Sequence, residues 1–175
     1  MRCTCSLSLL LAISAGLTGR AVAQSPTSSV TADAVVVTVG MTITTLRDLA
    51  FGTVIKGVST TVQPTAVTAG AWQVTGSGNA FVIITFTLPT TLTNIQALPG
   101  STMPITFNAT SARWNRANNN AAAGTAFNPA TGTVGRFGPP ANPNMYVWIG
   151  GTASPAAAAK PGIYRGTVIL SLVYQ

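Results

Sequence analysis

The sequence predicts an all-β protein, an antiparallel β-sandwich of seven or eight strands. Three observations predict it. Charged residues make up only 6% of the chain, against about 25% in an ordinary soluble domain. Glu is absent, so helices braced by Glu–Lys pairs are excluded. Thr, Val, Ala, Gly and Asn dominate, and apolar residues recur at period two with no sustained helical period.

The first 23 residues stand apart. Arg2 gives a short positive start and Leu7 to Leu17 is an apolar run. Ala21-Val22-Ala23 matches a small-residue cleavage site, which predicts a signal peptide over residues 1–23 and a mature chain from Gln24. The competing reading is a retained anchor, for which the run is short. Cys3 and Cys5, the only cysteines, would leave with the signal. The mature chain then has no thiol, disulfide or cysteine metal ligand, and its sheets alone hold it. No later stretch is long and apolar enough for a membrane span. Seven cations face two acids, Asp33 and Asp48, in the mature chain.

Residues 24–39 open Ser/Thr/Pro-rich and read as a flexible leader. Val35, Val37, Val39, Met41 and Ile43 alternate with Val36, Thr38, Thr42 and Thr44. That run is longer than one ordinary strand, so it is two strands or a strand with an extension that pairs elsewhere. Leu49 and Phe51 share a face before Gly52. Short strands follow at Val58–Pro64 and Ala71–Thr75, and Gly76 to Asn79 is a turn. Phe81 to Leu88 is apolar on both faces and reads as a central strand. Met103–Ala109 and Met145–Gly150 continue the series.

Residues 110–143 break that rhythm. They are rich in Asn, Ala, Gly and Pro, and a structureless loop of that length is unusual in a compact domain. The stretch either hides a short hairpin around Val134 or is a mobile surface feature. It holds Arg113, Arg116 and Arg136 beside Trp114, which makes it a candidate binding loop as well as a solubilising insertion. Residues 40–175 are otherwise one domain. The chain ends on one long predicted strand, Gly162 to Gln175, introduced by the turn Lys160-Pro161-Gly162. Tyr164, Val168, Leu170, Leu172 and Tyr174 share one face of it.

Catalytic chemistry has little to work with. Without His, Glu or a mature Cys, general acid–base catalysis and a Ser-His-Asp triad lack their parts. No zinc or calcium ligand set, phosphate-cradling loop or dense basic patch is present, so no catalytic residue, metal, cofactor or nucleic acid is expected. The expectation is a structural or binding protein rather than an enzyme.

Asp48 to Thr53 (DLAFGT), Gly150-Gly151 after a strand, and the Pro161 to Thr167 turn (PGIYRGT) resemble a secreted bacterial family known as domain of unknown function 4402. That resemblance covers most of the mature chain, with residues 110–143 departing from it. It implies a secreted β-sandwich with no established activity. The C-terminus also resembles chaperone–usher pilins and spore-coat-U-like subunits, with Tyr174 penultimate and Gly162 fourteenth from the end. This second resemblance implies an immunoglobulin-like, pilin-like sandwich lacking its last strand, with a periplasmic chaperone and an outer-membrane usher as partners.

The resulting expectation is a surface subunit that assembles with copies of itself, head to tail, by strand donation. The acceptor groove would be formed by Gly162, Tyr164, Val168, Leu170, Leu172 and Tyr174. The donor segment would use Val30, Ala32, Ala34 and Val36, or in the other register Val35, Val37 and Val39, since a one-residue slip exchanges the two sets. The alternative is a self-contained secreted sandwich that binds a glycan or protein through the Trp114 region.

Overall fold

A computed structural model describes residues 40–96 and 101–175. The expected signal peptide, the leader and every candidate donor residue (Val30, Ala32, Ala34, Val35, Val36, Val37 and Val39) lie outside the described residues. The described chain is all-β and every strand pair is antiparallel. Among the described residues no helix is long and apolar enough to cross a membrane.

Among the described residues there are thirteen strands: β1 (Thr42–Arg47), β2 (Thr60–Val62), β3 (Gly70–Thr75), β4 (Phe81–Thr87), β5 (Thr91–Asn94), β6 (Thr102–Thr106), β7 (Ala112–Arg116), β8 (Thr125–Phe127), β9 (Thr133–Arg136), β10 (Asn144–Ile149), β11 (Gly151–Ala153), β12 (Tyr164–Arg165) and β13 (Ile169–Tyr174). They form three sheets, ordered β1-β3-β10-β7-β8, β12-β5-β6-β11-β2 and β13-β4-β9. The count exceeds seven or eight because residues 110–143 carry β7–β9, β5 and β11 are short strands outside the predicted runs, and the predicted C-terminal strand is cut in two.

Gly150 divides β10 from β11. It lets β10 of the first sheet run directly into β11 of the second. A Cβ there would meet the Val62 carbonyl oxygen and crowd Pro64, so only glycine allows this approach. The predicted C-terminal strand is cut as well. Tyr164–Arg165 pair with β5, whereas Ile169–Tyr174 pair with β4.

The first and third sheets pack face to face. Val74, Met145 and Val147 from one side meet Val82, Ile84 and Leu170 from the other. Aromatic rings cross the interface: Trp72 lies 5.8 Å from Phe86, and Phe86 lies 6.2 Å from Phe127. Burying an apolar side chain of this size contributes about 1.5–3 kcal/mol, so this layer is the principal core. A smaller cluster of Leu92, Met103, Ile105 and Ala153 sits on the second sheet, with Phe51 and Val54 packed against it.

β4 is central in its sheet, as its sequence predicts, but it is not buried on both faces. Val82 and Ile84 are fully buried while Phe81 and Ile83 are exposed. Residues 110–143 are also ordered into strands. They carry β7, β8 and β9, and Gly132 at φ 72 makes the turn between the last two.

Candidate functional site

The site is the open side of the sandwich. Among the described residues β1 is an edge strand that pairs with β3, and β13 is an edge strand that pairs with β4. The two edges lie on the same side, because Trp72 on β3 packs on Phe86 of β4, while β9 faces β7 at the other side. Thr42 is opposite Thr75, and the Thr75–Phe81 turn links β3 to β4 beside Tyr174. The start of β1 and the end of β13 therefore share one end of the sandwich. Arg47 and Ile169 share the other.

Among the described residues no strand covers either edge. All six residues of β1 are exposed, including Ile43 and Leu46, although the neighbouring β3 buries Ala71 and Val74. On β13 only Leu170 is buried; Leu172 is half-buried on the same inner face. Gln175 N donates to Phe81 O at 3.0 Å, which makes the odd-numbered residues of β13 the hydrogen-bonded partners of β4. The N–H and C=O groups of Leu170 and Leu172 then point away from β4, along an edge with no strand partner among the described residues.

A groove of about 1020 Å³ opens from this seam at the Arg47–Ile169 end, between residues 47–56 and 159–168. Its floor is apolar: Trp72, Leu92, Met103, Ile105 and Ile149. Arg47, Lys56, Lys160 and Arg165 line it as well, with Asp48 the one acid among them. At the opposite end the seam is closed by Tyr174. Its hydroxyl accepts from Ser77 N at 2.8 Å, and its ring lies 6.0 Å from Phe137.

The predicted groove residues divide. Val168 lines the groove, and Leu170, Leu172 and Tyr174 line the inner face of β13. Tyr164 stands in a different sheet, packs on the smaller cluster and donates its hydroxyl to Lys160 O at 2.7 Å. Gly162 adopts φ 147, with the Asn94 side chain where a Cβ would stand. Asn94 also donates to Pro161 O at 3.3 Å, so this turn is pinned onto β5. The wall formed by residues 47–56 does not stand out in the sequence as part of a site, since its residues alternate poorly. The signal available there is the clustering of cations around the Lys160-Pro161-Gly162 turn.

The predicted binding loop is not gathered into one site. Arg113 donates from one guanidinium nitrogen to the carbonyl oxygens of Ala121, Ala122 and Gly124, each at 3.0 Å, and so clamps the loop after β7. Trp114 packs against the core, with its indole nitrogen buried. Arg116 donates to the Asn79 side chain at 3.1 Å, and Arg136 donates to Asn79 O at 3.0 Å. Arg136 also lies 5.0 Å from the Phe81 ring centroid. Each of these side chains holds a turn or a strand end.

Among the described residues no group of three or more His, Cys, Asp or Glu comes together. What the seam offers chemically is backbone hydrogen bonding along one edge, an apolar floor and a cationic rim. A family model described as Domain of unknown function (DUF4402) matches residues 41–174. No curated protein matches the chain.

Proposed function

The chain belongs to the DUF4402 family, and on that premise we propose that it is a secreted, non-enzymatic structural subunit that joins copies of itself into a surface fibre or coat by strand donation. The observation that carries this reading is the open seam between β1 and β13. An extended segment laid there would pair with the outward N–H and C=O groups of Leu170 and Leu172 and cover Ile43 and Leu172 at once. Its apolar side chains would enter the groove beside Val168.

The donor is the leader, residues 24–39, of a second copy. Its alternating valines match a seam that is apolar within and hydrated without. In this reading the sandwich is of the immunoglobulin-like, pilin type, completed by a strand from its neighbour. A periplasmic chaperone would cover the seam before assembly and an outer-membrane usher would deliver the subunit. Because donor and acceptor surfaces differ, the contact is heterologous and builds an open chain.

Unheated gel electrophoresis of the mature chain tests this reading. A ladder that collapses to one band on boiling, and disappears when residues 24–39 are deleted, is the expected result. A single monomer band from the intact chain overturns it.

A further inference from the structure

The groove at the Arg47–Ile169 end carries a charge that the domain itself does not answer. Residues 40–175 hold seven cations and one acid. Three of the cations are engaged: Arg113, Arg116 and Arg136 each donate to oxygens of a turn or loop. The other four, Arg47, Lys56, Lys160 and Arg165, all line the groove. Their side chains are exposed and have no hydrogen-bonding or ionic partner among the described residues. Asp48 lies at the same groove, which leaves three cations in excess there.

Like charges gathered around one opening repel each other and favour an anion between them. The floor below is apolar, with Leu92, Met103, Ile105 and Ile149 buried and Trp72 partly so. The matching ligand is an amphipath, apolar beneath and negative above. Two observations favour a polypeptide over a small amphiphile. The cations stand on two walls, residues 47–56 and 159–168, so a single anionic group does not meet them all. The groove also continues into the edge of β13, where Leu170 and Leu172 have no strand partner among the described residues. Hydrogen bonding along that edge selects an extended backbone. A strand points alternate side chains to opposite faces, so apolar residues can enter the groove while carboxylates between them reach the rim.

A second copy of the chain cannot provide such a strand. The chain has two acids in all, and no strand-length segment of it contains both. We infer that the groove receives an extended segment of a different protein, one that alternates apolar side chains with carboxylates and pairs along β13. This rests on the reading that an extended chain seats in the seam. It adds the chemistry of the partner that covers the seam before a copy does.

The test uses the mature chain, residues 24–175, and a labelled strand-length peptide that alternates valine with glutamate. A counterpart carries glutamine in place of glutamate. By fluorescence anisotropy at low salt the glutamate peptide should bind about tenfold more tightly, and high salt should remove the difference. The triple variant Lys56→Gln, Lys160→Gln, Arg165→Gln should lose the preference. Its urea unfolding should match the parent, because these side chains are exposed and unpartnered. Bound glutamate peptide should also suppress the unheated ladder, since both need the edge of β13.

Equal binding of the two peptides, or a preference kept in the triple variant, overturns the acidic partner. A ladder in the same samples then leaves strand donation standing, and its absence brings that reading down as well. Glutamate-selective binding with no ladder under any condition supports the partner and overturns assembly by copies. Selective binding that leaves the ladder unchanged overturns the placement along β13. Rim-dependent binding of phosphatidylglycerol vesicles, without a peptide preference, assigns the groove to an anionic lipid and overturns a protein partner.

Discussion

Leu170 and Leu172 neighbour each other on the inner face of β13 but sit in different surroundings, and that contrast yields a quantitative prediction. Leu170 is 8% exposed and part of the principal core, whereas Leu172 is half-buried toward the open seam. Leu→Ala removes three carbons, or about 2.4 kcal/mol of transfer free energy at about 0.8 kcal/mol per buried group. At Leu170 a cavity term adds to this, and the folded monomer should lose about 3–4 kcal/mol. At Leu172 at most about a third of the side chain is already wet, so the monomer should lose about 1.5–2 kcal/mol. The remainder appears when a donated strand covers the residue, weakening assembly by about 0.5–0.9 kcal/mol, or roughly two- to fivefold. Urea unfolding of the monomer and the protein concentration needed for the unheated ladder read the two quantities separately. If Leu172→Ala destabilises the monomer as much as Leu170→Ala and leaves the ladder untouched, the seam is already covered and the reasoning fails.

Other substitutions test the frame around the seam. Gly150→Ala places a methyl group against the Val62 carbonyl where β10 passes into β11; it should cost about 2–3 kcal/mol and lower the thermal midpoint by several degrees. Arg113→Ala removes three hydrogen bonds to the loop after β7. It should raise proteolytic cleavage within residues 117–124 and cost only about 1–2 kcal/mol in global stability, measured by limited digestion beside urea unfolding. Trp114→Ala should act as a core truncation of about 3 kcal/mol or more in thermal unfolding, because the ring packs on the core instead of facing a ligand.

Much of the fold was legible in the residues themselves. Period-two alternation located β6 and β13, and continuous apolar runs located β4 and β10. The strands that escaped notice are short or built from threonines: β5 is Thr91–Asn94 and β12 only Tyr164–Arg165. Two or four residues carry no period, and their pairing is decided by the turn that pins Gly162 to Asn94. The β7–β9 region read as an insertion because its order comes from Arg113, Asn120 and Asn128 bonding to nearby backbone, which leaves no hydrophobic rhythm.

The seam was half legible. The inner face of the last strand could be read from Leu170, Leu172 and Tyr174, but its break at residues 166–168 could not. Nor could its partner across the gap. β1 carries Ile43 and Leu46 on opposite sides of its alternation, with a bulge between Thr45 and Arg47, so its pattern is blurred. The basic rim is assembled from residues more than one hundred positions apart, Arg47 and Lys160 among them, and only tertiary structure brings these together.

One measurement addresses the central claim most directly: whether the seam of one molecule receives the leader of another. Two mature chains, one carrying Val39→Cys and the other Ile169→Cys, are mixed under assembly conditions and oxidised. A leader donated antiparallel to β13 would end at the Arg47–Ile169 end of the next molecule's seam. The account predicts a disulfide joining the two substituted positions across different chains, identified by peptide mass analysis, within a ladder that survives until reduction and boiling. Folded chains that yield no such intermolecular link at any concentration would contradict it.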